Sequence, residues 1–215
     1  MDKVTKLLGI VFFLGFLILF ISFIYSPDSD IEYYDFINEP LEISQSYENT
    51  VFLTNIVKNR KSLIAPGHGY GLSITWNMKI PNTAGEKLWH SIFSKDKPII
   101  RIGDSPQIYY NPKYNVLRVI VKYKESPFYA HYPIIELKNI PLQRWNNYAV
   151  VIHNNYVKIY LNKQLVINKK LPNIPEISNS DIIVGEQNNN IIGTISNLRL
   201  YFRPYDNNNI KQILN

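Results

Sequence analysis

Over residues 72–80 apolar and polar positions alternate without a miss. Leu72, Ile74, Trp76, Met78 and Ile80 are set against Ser73, Thr75, Asn77 and Lys79. Period two turns one set toward a core and the other toward water, which predicts a β-strand. Residues 116–123 repeat the pattern, with Leu117, Val119, Val121 and Tyr123 opposite Arg118 and Lys122. Residues 148–152 and 156–161 flank His153-Asn154-Asn155 and read as a hairpin. In its second arm Val157, Ile159 and Leu161 face inward, and Tyr156, Lys158 and Tyr160 outward. Residues 181–184 and 194–202 are two more strands, the last interrupted by Ser196, Asn197 and Arg199. Gly185 and Gly193 bracket a turn rich in asparagine. At the C-terminus Asp206 can cap a short helix that has Ile210, Ile213 and Leu214 on one side. Short strands, frequent turns and no long helical pattern predict an all-β fold, an antiparallel β-sandwich.

One segment departs from this pattern. Residues 7–25, LLGIVFFLGFLILFISFIY, hold no charge and no proline. As a helix this run spans roughly 28 Å, close to the hydrocarbon thickness of a bilayer. It is too long for a signal-peptide core and lacks small residues at a cleavage point, so it reads as a retained signal-anchor. Lys3 and Lys6 precede it, whereas residues 26–50 contain no Lys or Arg. The positive-inside rule then places residues 1–6 in the cytoplasm and the remainder on the exoplasmic or lumenal side. The expected order is a transmembrane helix at 7–25, an acidic stalk at 26–40 and a sandwich domain at 41–215.

Charge sharpens the division. Residues 26–50 carry seven acids (Asp28, Asp30, Glu32, Asp35, Glu39, Glu42 and Glu48) and no base, a net −7. Residues 51–215 carry 21 Lys/Arg against nine Asp/Glu, a net +12. A basic domain suits an anionic partner, or a stalk folded back upon it. Nucleic acid is not the expected partner, because the topology places the domain across a membrane and no nucleic-acid-binding motif is present. The absence of cysteine excludes disulfides, Cys-ligated zinc and thiol catalysis. No N-x-[ST] sequon occurs.

The stretch Ile140-Pro-Leu-Gln-Arg-Trp145-Asn-Asn-Tyr-Ala-Val-Val-Ile152, followed by Val157-Lys-Ile-Tyr160-Leu-Asn162-Lys-Gln-Leu165-Val166, resembles the central hairpin of concanavalin A-like lectin/glucanase domains of the laminin-G type. There a Trp opens one strand and the returning strand ends in Tyr-x-Asn-Gly. Ile183-Val-Gly185, Gly193-Thr-Ile-Ser-Asn-Leu-Arg-Leu-Tyr201 and Arg203-Pro204 are similar to the family's closing strands, and Trp76 to its early Ser-Ile-x-x-Trp strand. The resemblance implies a concanavalin A-like jelly roll in which Trp76, Trp145, Tyr160, Gly185 and Gly193 are structural. Lys163 stands where the family has Gly, which points to a different turn, since Lys is strained at positive φ. The run from Asn139 to Trp145 is also similar to versions of the domain found in large DNA viruses.

Catalysis is not expected. The family's glycoside hydrolases carry Glu-x-Asp-x-Glu on one strand, whereas the acids here, Glu86, Asp96, Asp104, Glu125 and Glu136 among them, are scattered. His68, His90, His131 and His153 lack metal-like spacing. The resemblance implies calcium as a cofactor held by loop carboxylates, for which Asp104, Asp181 and Glu186 are candidates. Trp89 and His90 lie in a loop, as do Tyr109, Tyr110, Tyr129 and Tyr132; sugar rings stack on such aromatics. Arg101, Arg118, Lys122 and Lys124 offer contacts to an anionic ligand. The expected function is a membrane-anchored, non-catalytic recognition module for a glycan or a protein. The alternative is a virion assembly protein that tethers a membrane to capsid or envelope proteins, with a glycoside hydrolase ranked below both.

Overall fold

The computed structural model describes residues 13, 15–16, 33–43, 51–53, 64–65, 69–81, 96–126, 129–178, 180, 182–185 and 193–214. By its contacts the chain divides into two units, Met1–Glu32 and Tyr33–Asn215. Within the first, Phe13, Gly15 and Phe16 are helical, and the rest of the expected span at 7–25 lies outside the described residues. Among the described residues no helix is long and apolar enough to cross a membrane.

The second unit is an antiparallel β-sandwich. One sheet orders β1 (Tyr33–Ile37), β16 (Gly193–Tyr201), β5 (Gly69–Lys79), β12 (Trp145–His153), β13 (Tyr156–Leu161) and β14 (Gln164–Lys170). In the same sheet β2 (Leu41–Ile43) also pairs with β16, and β4 (Ile64–Ala65) with β5. The other sheet orders β11 (Ile134–Lys138), β8 (Val116–Ile120), β7 (Gln107–Asn111), β6 (Lys97–Ile102), β15 (Ile182–Val184) and β3 (Val51–Leu53). A separate hairpin joins β9 (Tyr123–Ser126) to β10 (Tyr129–His131). Tyr33–Ile37 falls within the segment read as stalk, yet it pairs with β16 through Tyr33↔Tyr201 and Tyr34↔Leu200. The second unit therefore takes in part of that segment, and Asp35 of β1 is bound by Arg199 Nε of β16 at 2.6 Å.

The alternations hold in the core. Leu72, Ile74, Trp76, Met78 and Ile80 of β5 and its end pack with Ile100, Ile108, Leu117, Val119, Val150, Ile159 and Leu200 in one cluster between the sheets. Trp76 is 0 % exposed and stacks on Tyr148 of the adjacent strand, with ring centroids 5.2 Å apart and planes 9° from parallel. The polar set of β5 is less wet than alternation predicts, because Ser73 and Thr75 are also buried. The chain after β16 covers them: the Ser73 hydroxyl donates to Arg203 O (2.8 Å) and accepts from Tyr205 N–H (2.9 Å). Helix α1 (Asn207–Ile213) then lies over the same face. Asp206 caps it through the N–H groups of Asn208 and Asn209, as its residue type predicts. Ile210 and Leu214 bury Ala149, Val151, Tyr160 and Tyr201 in a second cluster. Tyr160 thus faces away from the main core, as its alternation predicts, and is structural all the same; its hydroxyl donates to Asn207 Oδ1 at 2.5 Å.

Trp145, expected in the core, is 43 % exposed. Inward positions of β12 are even-numbered, ending in Tyr148, Val150 and Ile152. Trp145 shares the outer face with Ala149 and Val151 but lies outside the cluster that α1 forms. Its neighbour Asn146 is buried instead and donates to Pro141 O and Arg144 O. The polar interruption in β16 is a β-bulge between Ser196 and Arg199, with Asn197 at φ 49°. Gly185 turns the chain at φ 73° and donates its N–H to Ile99 O. At Gly193 a Cβ would lie 2.9 Å from Lys79 O, so a close strand approach requires glycine there.

The β13–β14 turn is not of another type. Asn162 and Lys163 take φ 48° and 68°, the two left-handed residues of a type I′ hairpin turn. Lys163 bears the strain that the family's Gly avoids. We expect Lys163→Gly to stabilise the domain by about 1 kcal/mol, the cost of a left-handed non-glycine residue; a lowered denaturation midpoint would contradict this.

Buried phenols give the unit an alkaline limit. Burial pushes Tyr110 up to about 12, and burial assisted by Asp206 pushes Tyr160 up to about 12. Burial drives Tyr148 higher still. In the unfolded chain a phenol titrates near about 10, so above that pH the unfolded state loses protons that the folded state keeps. Stability is fully present below pH ~10 and falls toward pH ~12. Urea midpoints that stayed constant from pH ~9 to pH ~11.5 would contradict this.

Candidate functional site

The turn between β6 and β7 shapes one end of the sandwich. Gly103 adopts φ 50°, and a Cβ there would strike Ser178 Oγ and lie 2.5 Å from Ser180 Oγ, so only glycine fits. Gln107 Nε2 donates to Gly103 O at 2.9 Å, and Ser105 N–H donates to Ile102 O at 3.0 Å. The Ser105-Pro106 peptide is cis. The buried Ser105 hydroxyl donates to Glu176 O (2.6 Å) and accepts from Lys122 N–H (3.0 Å). Glu176 N–H donates to Lys122 O (2.7 Å) and Ser178 N–H to Ser105 O (2.8 Å). Three segments far apart in sequence are thereby locked together.

They enclose a cup of about 300 Å³ lined by Asp104, Ser105, Lys122, Glu176, Ile177 and Ser178. Lys122 Nζ stands 3.5 Å from Asp104 Oδ2 and 3.6 Å from Glu176 Oε2, and Lys124 Nζ is 3.0 Å from Glu176 Oε1. Partial desolvation lowers the Lys122 pKa, but Tyr132, Glu176 and Asp104 together outweigh it and hold the ammonium above its ordinary value. The cup offers fixed acceptors and one fixed donor. A hydroxyl-rich ligand can use both, donating to the carboxylates and accepting from the ammonium.

Beside the cup stands the β9–β10 hairpin. The Tyr123 and His131 rings stack with centroids 5.2 Å apart and planes 17° from parallel, and His131 Nε2 lies 2.6 Å from Glu125 Oε2. These contacts fix the hairpin, and two tyrosines at its returning strand face solvent. Tyr129 is 71 % exposed and Tyr132 50 % exposed, with Lys122 Nζ 5.9 Å from the Tyr132 ring centroid. Asn173 Nδ2 donates to Lys124 O (3.0 Å), which brings the exposed Ile174 to the same end.

Of the residues singled out by sequence, Asp104, Lys122, Lys124, Tyr129 and Tyr132 gather here. Tyr109 does not: it lies in β7, where its hydroxyl donates to Gln107 Oε1 at 3.0 Å. Tyr110, expected in a binding loop, is a core residue, buried with its hydroxyl donating to Asn115 Oδ1. Both belong to a strand that the sequence reading treated as loop. Arg118 is held by both Asp96 oxygens (2.7 and 2.8 Å) and by Glu136 (2.9 Å), so it serves the sheet rather than an anionic ligand. Trp89, His90, Asp181 and Glu186 lie outside the described residues. Glu176, Ser105 and Ser178 were missed, because an aperiodic polar stretch gives no signal for a partner some 70 residues away.

The calcium expectation meets an obstacle at Asp104. Its carboxylate and that of Glu176 face the Lys122 ammonium, which stands where a cation would have to sit. Among the described residues no group of three or more His, Asp or Glu could hold a metal ion. This donor set does not fit calcium.

The fold has known counterparts. No protein-family model and no curated protein sequence matches the chain. The botulinum neurotoxin serotype G binding domain superposes with a TM-score of 0.62 at 14 % identity, over 86 % of this chain and 44 % of its own. The binding domain of Paraclostridial Mosquitocidal Protein 1 gives 0.58 at 13 % identity, over 87 % and 46 %. The binding domain of botulinum neurotoxin DC, solved in complex with rat synaptotagmin II, gives 0.56 at 17 % identity, over 84 % and 44 %. The chain thus spans less than half of each of these structures. What they share with it is the antiparallel β-sandwich fold.

Proposed function

We propose that this chain is a non-catalytic recognition module that binds a glycan at the cup and the β9–β10 hairpin, and that residues 7–25 tether it to a membrane. The observation that carries the reading is the pairing of solvent-facing Tyr129 and Tyr132 with a prearranged Asp104–Lys122–Glu176 set. Aromatic rings stack on the apolar faces of sugars, and fixed polar groups satisfy the hydroxyls around them. The solved structures with this fold that are named above are binding domains, which supports recognition over catalysis. Uncharged residues 7–25, flanked by Lys3 and Lys6, support the tether and an exoplasmic position. Full-length chain applied to a glycan array is expected to retain a defined subset of glycans. A flat array together with capture of a protein partner at the hairpin would move the reading to protein recognition.

A further inference from the structure

We propose that the outer face of the larger sheet carries a second saccharide site, built on Trp145, Asn147, Asn77 and Lys79, which takes a hexuronate unit. The register of three strands lays this face out. Trp145 of β12 lies opposite Lys79 of β5, and Lys79 opposite Thr194 of β16. Two residues along each strand, Asn147 lies opposite Asn77, and Asn77 opposite Ser196. Residues two apart keep the same side of a sheet and stand roughly 7 Å apart, with neighbouring strands at about 4.8 Å. The two rows thus make a platform wide enough for a pyranose ring. The next row, with Thr75 opposite Ala149, is already buried beneath the C-terminal segment.

Packing does not account for Trp145, which is exposed and belongs to neither buried cluster. Among the described residues no ring or cation lies against its indole. An uncovered indole offers a stacking surface to the C–H face of a sugar ring. Beside it Asn147 Nδ2 donates to Asn77 Oδ1 at 2.6 Å, which fixes both amides. Among the described residues this bond leaves Asn77 Nδ2 and Asn147 Oδ1 without partners, a donor and an acceptor held side by side. Adjacent hydroxyls of a sugar ring can use both at once. Lys79 supplies the charge. It is exposed, and among the described residues its ammonium makes no ion pair. Glu42 pairs opposite Thr194 and so stands about 10 Å from Lys79 by strand spacing. A carboxylate on a ring stacked at Trp145 is within reach of Lys79 in the same row. The cup differs, because Asp104 and Glu176 disfavour a carboxylated ligand there. The two sites therefore select different glycans and share no residue.

Titration calorimetry of the full-length chain in mild detergent tests this. The probes are tetrasaccharides of galacturonate, glucuronate and mannuronate, each beside its carboxyl-reduced counterpart. The parent should bind at least one uronate, and the reduced form of that ligand about tenfold more weakly, the worth of one charge-assisted hydrogen bond. Trp145→Ala should lose about 30-fold or more in affinity, and Trp145→Tyr should keep most of it. Lys79→Gln should bind the uronate and its reduced form alike. Both side chains are exposed, so the urea midpoint should stay in place. A parent that binds no uronate, equal parent affinity for the two forms, or binding unchanged in Trp145→Ala would overturn the proposal. Tyr129→Ala/Tyr132→Ala should leave uronate binding intact, and its loss there would place the ligand at the hairpin and overturn the second site. None of these failures touches the binding of uncharged glycans at the cup.

Discussion

Trp76→Ala is expected to cost about 3–5 kcal/mol, the range for removing a fully buried Trp side chain. The indole is wholly enclosed, stacks on Tyr148 and sits at the centre of the cluster joining both sheets. A domain of this size has only about 5–15 kcal/mol to lose, so the variant should give up a large fraction of its stability and unfold at a much lower urea midpoint. Polar groups at the same place act in the opposite direction. Trp76 Nε1 and the Tyr148 hydroxyl are both buried without a hydrogen-bond partner. An unsatisfied buried donor costs about 1–3 kcal/mol, so deleting the hydroxyl removes a penalty along with a small volume. Tyr148→Phe should therefore be neutral or stabilising. Urea denaturation followed by far-ultraviolet dichroism measures both; equal losses in the two variants would show that packing at this stack has been misassigned.

Tyr129→Ala/Tyr132→Ala is expected to lower glycan affinity by about 30-fold or more while leaving the denaturation midpoint in place. Truncating a recognition-site tyrosine can cost about 2 kcal/mol, and about 1.4 kcal/mol is tenfold in affinity. Neither ring belongs to either buried cluster, so folding loses little. The hairpin keeps its own fastening through Tyr123, His131 and Glu125. Lys122→Met provides a second arm: it removes the ammonium that faces Asp104 and Glu176 and should weaken binding further by taking away the donor a ligand hydroxyl would use. Titration calorimetry with a glycan selected on the array reads both variants, and undiminished affinity in the tyrosine pair would move the site elsewhere.

Much of the fold was legible in the sequence, and the reason is local. In residues 72–80 and in the hairpin over 148–161 each inward residue is apolar, so periodicity alone gives their direction. Asp206 announces its helix, and Ser196, Asn197 and Arg199 mark the bulge, because capping and left-handed backbone each select particular residue types. Failures arise where a third layer intervenes. Ser73 and Thr75 look solvated until the C-terminal segment covers them, and Trp145 looks buried until that cover proves to end short of it. Tyr110 was mistaken for a loop residue because β7 is short and its two tyrosines divide between core and outer face. At the site, Asp104 and Tyr132 could be named individually as acid and aromatic. Their meeting at Lys122 could not, since it depends on the Lys122↔Glu176 bridge and the Ser105 hydroxyl, which join segments with no pattern in common.

Hydrogen exchange of the full-length chain, with and without an array-selected glycan, tests recognition without turnover most directly. Slowed exchange is expected around residues 104–105, 122–132 and 176–178, with the glycan recovered at unchanged mass. Protection confined to other surfaces, or recovery of a cleaved glycan, would contradict a hairpin and cup that hold their ligand and leave it intact.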